Sequence, residues 1–141
     1  MRYEEWEAGV PTTITGDPLW RLKVYRLALF LSDLAWSDST RLLKDRRAVR
    51  NADQLFRAAT GIAPQISEGY SRSSGKDQAR FFEYALGSAR EARDWYYSAR
   101  RVHGEQVFAH RTMLLSEIIR MTIVIIPTRR AAPRISKASR E

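Results

Sequence analysis

Apolar residues recur at helical spacing along most of the chain and divide it into four long segments. In the first, Leu22, Tyr25, Leu29, Ser32 and Trp36 follow steps of three and four, while Val24, Leu27, Ala28, Leu31 and Ala35 widen the stripe. A helix this apolar needs cover on more than one side. Asp17-Pro18 is its predicted start, with a carboxylate at the N-cap and proline at the first helical position. Ser37-Asp38-Ser39-Thr40 breaks the pattern and predicts its end. The second segment runs from about Asp45 to Gly69, with Val49, Ala52, Phe56, Ala59, Ala63 and Ile66 as its expected core row and Leu55 and Ile62 flanking. Pro64 lacks an N–H and crowds the preceding turn, so a kink or a loosened end is expected there.

Gly69 to Gly75 is a turn by composition, and Gly69 is expected to supply a left-handed backbone. Ser74 and Asp77 stand at capping-box spacing before the third segment. There Phe81, Ala85, Ser88, Ala92, Trp95, Ala99 and Val102 form the expected core row, with Phe82, Ala89 and Tyr96 beside them, and His103-Gly104 closes the helix. The fourth segment spans about Glu105 to Ile126 through Phe108, Leu114, Leu115, Ile118, Ile119, Thr122, Ile125 and Ile126, and Pro127 is expected to stop it. Residues 1–16 read as a loose N-terminal arm and residues 127–141 as a basic, disordered tail. The predicted architecture is all-α: an antiparallel up-and-down four-helix bundle over residues 17–126. Helices one, three and four carry more apolar surface than one bundle core uses, which predicts self-association.

Composition narrows the function. The 141 residues contain 24 Lys and Arg against 16 Asp and Glu, a formal net charge of +8. There is no cysteine, which removes disulfides, thiolate metal sites and a catalytic thiol. No secretory signal is visible in the acidic first residues, and the longest apolar stretch, Ile118 to Ile126, carries Arg120 and falls far short of the ~20 residues that cross a bilayer. A small, basic, cytoplasmic domain is expected, with no membrane association.

Gln54-Leu55-Phe56-Arg57-Ala58-Ala59, Ile62, Gln65-Ile66-Ser67-Glu68-Gly69, Arg72 and Ser74 resemble a known signature, roughly Gln-x-Arg-Arg-Ala-Ala, Ser-Ile-Pro-x-Asn-Ile-Ala-Glu-Gly, x-x-Arg-x-Ser. Phe81-Phe82-Glu83-Tyr84-Ala85-Leu86-Gly87-Ser88 is similar to the Phe-Leu-x-Ile-Ala-x-Gly-Ser that follows it. The signature is that of the bacterial four-helix-bundle family encoded within 23S ribosomal RNA intervening sequences. Phe56 stands where the family has its first arginine, Gln65 for Asn, Ser67 for Ala, and Pro64 one place late; Ala89 and Ala92 replace leucines. The resemblance implies a homopentamer with a basic surface and no known catalysis, and Gln54, Ile66, Glu68, Gly69, Gly87 and Ser88 as its structural motif. A relative of the family is the accessory protein of diversity-generating retroelements, which binds a reverse transcriptase and nucleic acid.

Candidate chemistry rests on the arginines. Arg46, Arg47, Arg50 and Arg57 are placed on helix two, Arg72, Lys76 and Arg80 near the following turn, and Arg129 and Arg130 in the tail. A guanidinium stays charged and donates two parallel hydrogen bonds, which suits phosphate. The bland alternative is a solvated face with pairs such as Arg90–Asp94. Glu68 has no partner base or nucleophile in the sequence around it and is expected to pair with an arginine or cap backbone amides. Only two histidines exist, with Arg100 three places before His103 and Val107 three before His110, so the Glu-x-x-His pattern of a di-iron site is missing. Gly75-Lys76-Asp77 lacks a phosphate-loop frame. Trp95 reads as core and Tyr97 as outside it. The expectation is a non-enzymatic nucleic-acid-binding oligomer without cofactor or metal; a protein-binding accessory, for example of a reverse transcriptase, and a purely structural oligomer are the alternatives.

Overall fold

The computed structural model describes residues 1–132, and those residues contain helices and no strand. In chain order they form α1 (Tyr3–Ala8), α2 (Thr12–Thr15), one 3-10 turn (Pro18–Arg21), α3 (Lys23–Leu42), α4 (Val49–Ser71), α5 (Gly75–Ser98), α6 (Arg100–His103) and α7 (Glu105–Arg130). The long helices α3, α4, α5 and α7 pack side by side, α4 against α3 and α5, and α7 against α5 and α3. Cross-helix contacts set the directions. Near the start of α5, Gly75 lies against the Arg129 carbonyl at the end of α7, and near the end of α4, Gly69 lies against Gln78 and Phe81. At the opposite end, Asp38 of α3 meets Tyr96 of α5 and Arg111 of α7. Neighbouring long helices are therefore antiparallel.

The core is a row of fully enclosed side chains, among them Leu31, Leu55, Ile62, Ile66, Phe82, Tyr96, Leu115 and Ile118. Alanines at 28, 35, 52, 59, 85, 89 and 92 fill the positions between them. Small side chains at the seam let helix axes approach to the short end of the usual 8–10 Å. Each enclosed large side chain contributes roughly 1.5–3 kcal/mol of apolar burial. Against the expected rows, the buried faces are turned slightly. Leu55 and Ile62 are core, while Val49 is exposed and Phe56 only half-buried. On α5 the core row is Phe82, Ala85, Ala89, Ala92 and Tyr96; Phe81, Ser88 and Trp95 flank it.

Four boundaries depart from expectation, each for a physical reason. Residues 1–16 are not a loose arm: Tyr3, Trp6 and Val10 share one side, and Trp6 is buried. The Trp6 indole stacks with Trp20 and tilts against Phe30, and its Nε1–H donates to Asp33 at 2.6 Å. Part of the apolar excess on α3, Phe30 and Leu34, is thus covered by the chain's own N-terminus rather than by a partner. Asp17 does accept from the Leu19 amide, but it caps the 3-10 turn, and α3 starts at Lys23. Pro64, expected to kink α4 or loosen its end rather than stop it, lies inside that helix, which runs to Ser71. Pro127 likewise sits inside α7, which continues to Arg130 because its last turn is docked on the start of α5: a Cβ at Gly75 would collide with the Arg129 carbonyl, and Arg130 pairs with Glu83. The expectation for the rest of the tail, residues 133–141, lies outside the described residues.

The remaining departure is Asp38. Ser37 to Thr40 do not end α3, because Asp38 lies on its buried face, one step along from Leu31, Leu34 and Ala35. Its carboxylate accepts from Arg111 Nε at 2.7 Å and Nη2 at 3.2 Å, and from the Tyr96 hydroxyl at 2.6 Å. Its backbone carbonyl bonds to His103 Nε2 at 2.8 Å. One residue of α3 thereby ties α5, α6 and α7 together. Burial, reinforced by the Asp38 charge, pushes the Tyr96 hydroxyl upward, so it remains a donor.

Two expectations follow from this network. Asp38→Ala leaves the Arg111 guanidinium enclosed without its counter-ion and should cost about 3–5 kcal/mol, read as a fall in the urea midpoint. His110 is held below the usual histidine range, first by partial burial and then by Arg111, whose Nη1 donates to His110 Nδ1 at 2.7 Å; the Asp38 charge opposes this weakly. The unfolded chain therefore takes up that proton first. The stability this group contributes is full above about pH 6.5 and is lost as pH falls. His110→Gln should flatten that decline in denaturation midpoints measured between about pH 7.5 and 5.5.

Candidate nucleic-acid interface

The nine basic residues singled out in the sequence do not share one face. About 22 residues of α4 separate Arg50 from Arg72, which at 1.5 Å per residue is roughly 33 Å. One group surrounds the α4–α5 turn and the end of α7; the other surrounds the α3–α4 loop.

At the α4–α5 end, Arg72, Lys76, Arg80, Arg129 and Arg130 are brought together, and most of them are already engaged. Arg72 pairs with Glu68 at 2.9 Å and lies 4.6 Å from the centre of the Phe81 ring. Arg80 pairs with Asp77 at 3.7 Å and approaches the same ring at 5.3 Å. Arg130 pairs with Glu83, and half-buried Arg129 reaches Gln78 Oε1 at 3.5 Å. Lys76, Arg80 and Arg130 line one shallow groove with Asp77 and Glu83, and of the five cations Lys76 and Arg129 have no ion pair among the described residues. Three carboxylates thus partly neutralise this end, and the Phe81 ring covers two of its guanidinium groups.

The α3–α4 end is different. Residues 41–50 hold Arg41, Lys44, Arg46, Arg47 and Arg50 against one acid, Asp45. All five cations are exposed. Asp45 spends its carboxylate on the loop itself: it accepts from the Arg47 amide at 2.9 Å and sits 3.5 Å from the Arg47 guanidinium. Those contacts, the amide bond first, hold its carboxyl below the usual range. Arg46 and Arg50, and Arg57 two turns further along α4, make no ion pair among the described residues. Arg46 and Arg47 belong to the loop rather than to helix two, since α4 begins at Val49. The Asp38 contacts place α6 at this same end, adding Arg100, 4.0 Å over the exposed Tyr97 ring, and Arg101. Sequence reasoning missed Arg41, Lys44, Arg100 and Arg101. Counting charges over ten-residue windows finds the first two; only the turn between α5 and α7 brings in the others.

The motif residues have structural surroundings. Glu68 pairs with Arg72 as expected. Gly69 is not a left-handed turn: it is inside α4, and a Cβ there would press on the Gln78 carbonyl and the Phe81 side chain at 3.2 Å each, so it permits close approach of α4 and α5. Among the described residues the positive φ is at Gly104, between α6 and α7. Ser88 donates to Gln65 Oε1 at 2.9 Å across α4 and α5. Ile66 is buried, Gln54 half-buried, and exposed Gly87 has open space about it. Arg90 and Asp94 are exposed and make no ion pair among the described residues. No three His, Asp or Glu side chains among those residues converge to hold a metal ion, and no helix among them is long and apolar enough to cross a membrane.

Comparison with known proteins agrees with the fold. A crystal structure of a protein with unknown function from the S23 ribosomal protein family of Bacteroides thetaiotaomicron superposes with a TM-score of 0.68 at 21% identity, covering 73% of this chain and 97% of that one. No curated protein matches the chain. The family model described as 23S rRNA-intervening sequence protein matches residues 21–123, from the turn before α3 to within the last two turns of α7, and the chain belongs to that family.

Proposed function

We propose that this protein is a non-enzymatic, self-associating up-and-down four-helix bundle that holds nucleic acid by its phosphate backbone, chiefly at the α3–α4 end. The observation that carries the reading is the run of five exposed cations against one acid over residues 41–50, with that acid already committed to Arg47. Unpaired arginine forks match phosphate oxygens and read no base edge, so affinity should be salt-dependent and weakly sequence-specific. Self-association is supported by α7, where the apolar side chains of Met113, Ile123 and Val124 are 73%, 46% and 60% exposed. Apolar surface of this kind on a helix that already buries its opposite side is better covered by another copy than by water.

Titrating labelled oligonucleotide with the full chain across a salt series tests the first part. Arg46→Ala with Arg50→Ala should weaken binding and lower the steepness of the log–log salt dependence by roughly 1.4–1.8, two contacts at about 0.7–0.9 each. Arg72→Ala with Arg80→Ala, removing cations that are already paired, should change the slope much less. A slope indifferent to Arg46 and Arg50 refutes this assignment, and absence of binding leaves a structural oligomer. Sedimentation tests the second part: a pentamer is expected, with Val124→Glu shifting the mass toward the monomer, and a monomeric wild-type chain contradicts it.

A further inference from the structure

Beside the cationic loop, the end of α3 and the start of α4 enclose an open groove of about 460 Å³ walled by Trp36, Leu43, Val49 and Phe56. Trp36 is 67% exposed although it is the largest side chain on α3. Phe56 meets it edge to face at 5.8 Å, which fixes one ring against the other and leaves ring surface open to the groove. The turn beneath is stiffened by Ser39 and Thr40, whose hydroxyls both donate to the Trp36 carbonyl, at 3.2 and 2.7 Å. An exposed, braced aromatic ring in a groove is a stacking platform.

The charges around it select the occupant. Lys44, Arg46 and Arg50 lie in the segment that begins at Leu43 and passes through Val49, and Arg57 directly follows Phe56. Asp53, the acid lining the groove, stands between Arg50 and Arg57 at three and four residues' separation on α4. An apolar protein partner gains little from such a rim. A strand with unpaired bases uses both parts, its base face on Trp36 and its phosphates on the cations. Duplex nucleic acid presents phosphates alone, because its bases are stacked on one another.

We infer that the Trp36–Phe56 groove is a base-stacking site that makes the α3–α4 end prefer single-stranded nucleic acid over duplex. This rests on the phosphate-binding reading above and adds a base-directed term to it. Neither stacking nor phosphate pairing reads the sugar, so RNA and DNA single strands are equivalent ligands here.

The test measures fluorescence anisotropy of labelled oligo-U, oligo-dT and a duplex of equal length with the full chain, its Trp36→Ala and Trp36→Phe variants, and the Arg46→Ala/Arg50→Ala variant. Trp36 is exposed, so the variants should keep wild-type helicity by circular dichroism. Trp36→Ala should lose roughly ten-fold in affinity for both single strands, with the salt slope and duplex binding unchanged. Trp36→Phe should keep most of the affinity. If Trp36→Ala binds single strands as wild type does, or weakens duplex equally, the stacking site is refuted while the arginine slope still stands. If Trp36→Ala instead alters the sedimenting mass with affinity intact, the groove receives a second copy and the inference fails. Failure of the wild-type chain to bind any of the three ligands overturns both readings.

Discussion

The carboxylate of Asp38 is the point at which separate parts of this chain are made to agree. Four long helices with alanine-lined seams can slide past one another at modest cost, because small apolar side chains specify separation better than register. A buried carboxylate with a bidentate arginine and a tyrosine hydroxyl cannot slide. Its donors come from α5 and α7, and its own carbonyl takes the α6 histidine. The geometry of the α3–α4 end, where the exposed cations lie, is therefore set from beneath by a polar cluster. The opposite end is held by backbone fit instead, with Gly69 and Gly75 allowing α4, α5 and α7 to touch.

Much of this was legible in the order of residues. The four long helices, the Ser74 cap, the Glu68–Arg72 pair and the enclosed Ile66 follow from spacing and side-chain chemistry, and the signature from Gln54 to Ser88 points to the family that the matched model identifies. The departures share an origin: a polar residue or a proline within an apolar period looks like a boundary. Asp38 was assigned to a helix end although the row Leu31, Ala35, Asp38, Leu42 keeps its period, and a polar residue on an unbroken apolar stripe signals a buried partner. Pro127 was assigned the same role, but an end docked by tertiary contacts tolerates the loss of one hydrogen bond. The N-terminal helix was lost in the acidic residues around Tyr3, Trp6 and Val10. Where several rows are apolar, as on α4 and α5, periodicity alone leaves the buried row uncertain by one position. Val49 and Phe56 were exchanged in this way for Leu55 and Ile62.

For the candidate interface, the sequence located the arginines but had no means to tell paired from unpaired. Glu68 and Asp77 stand at helical spacing to Arg72 and Arg80, and those pairs form. Arg90 and Asp94 have equivalent spacing and remain apart. Glu83 reaches Arg130 across 47 residues, a pairing that no local rule contains. Net charge is consequently a poor guide to where a polyanion settles; the useful quantity is the charge left after the protein's own carboxylates are satisfied.

That residual charge is distributed lengthwise. Among the described residues, one tip of the rod keeps most of its cations free and the other pairs most of its own, which gives that part of the subunit an electrostatic polarity along its long axis. Copies arranged around a rotation axis parallel to their helices would all point the same way. Their free cations would then gather into a single crown on one rim of the assembly, and the complete particle would have a distinct front and back.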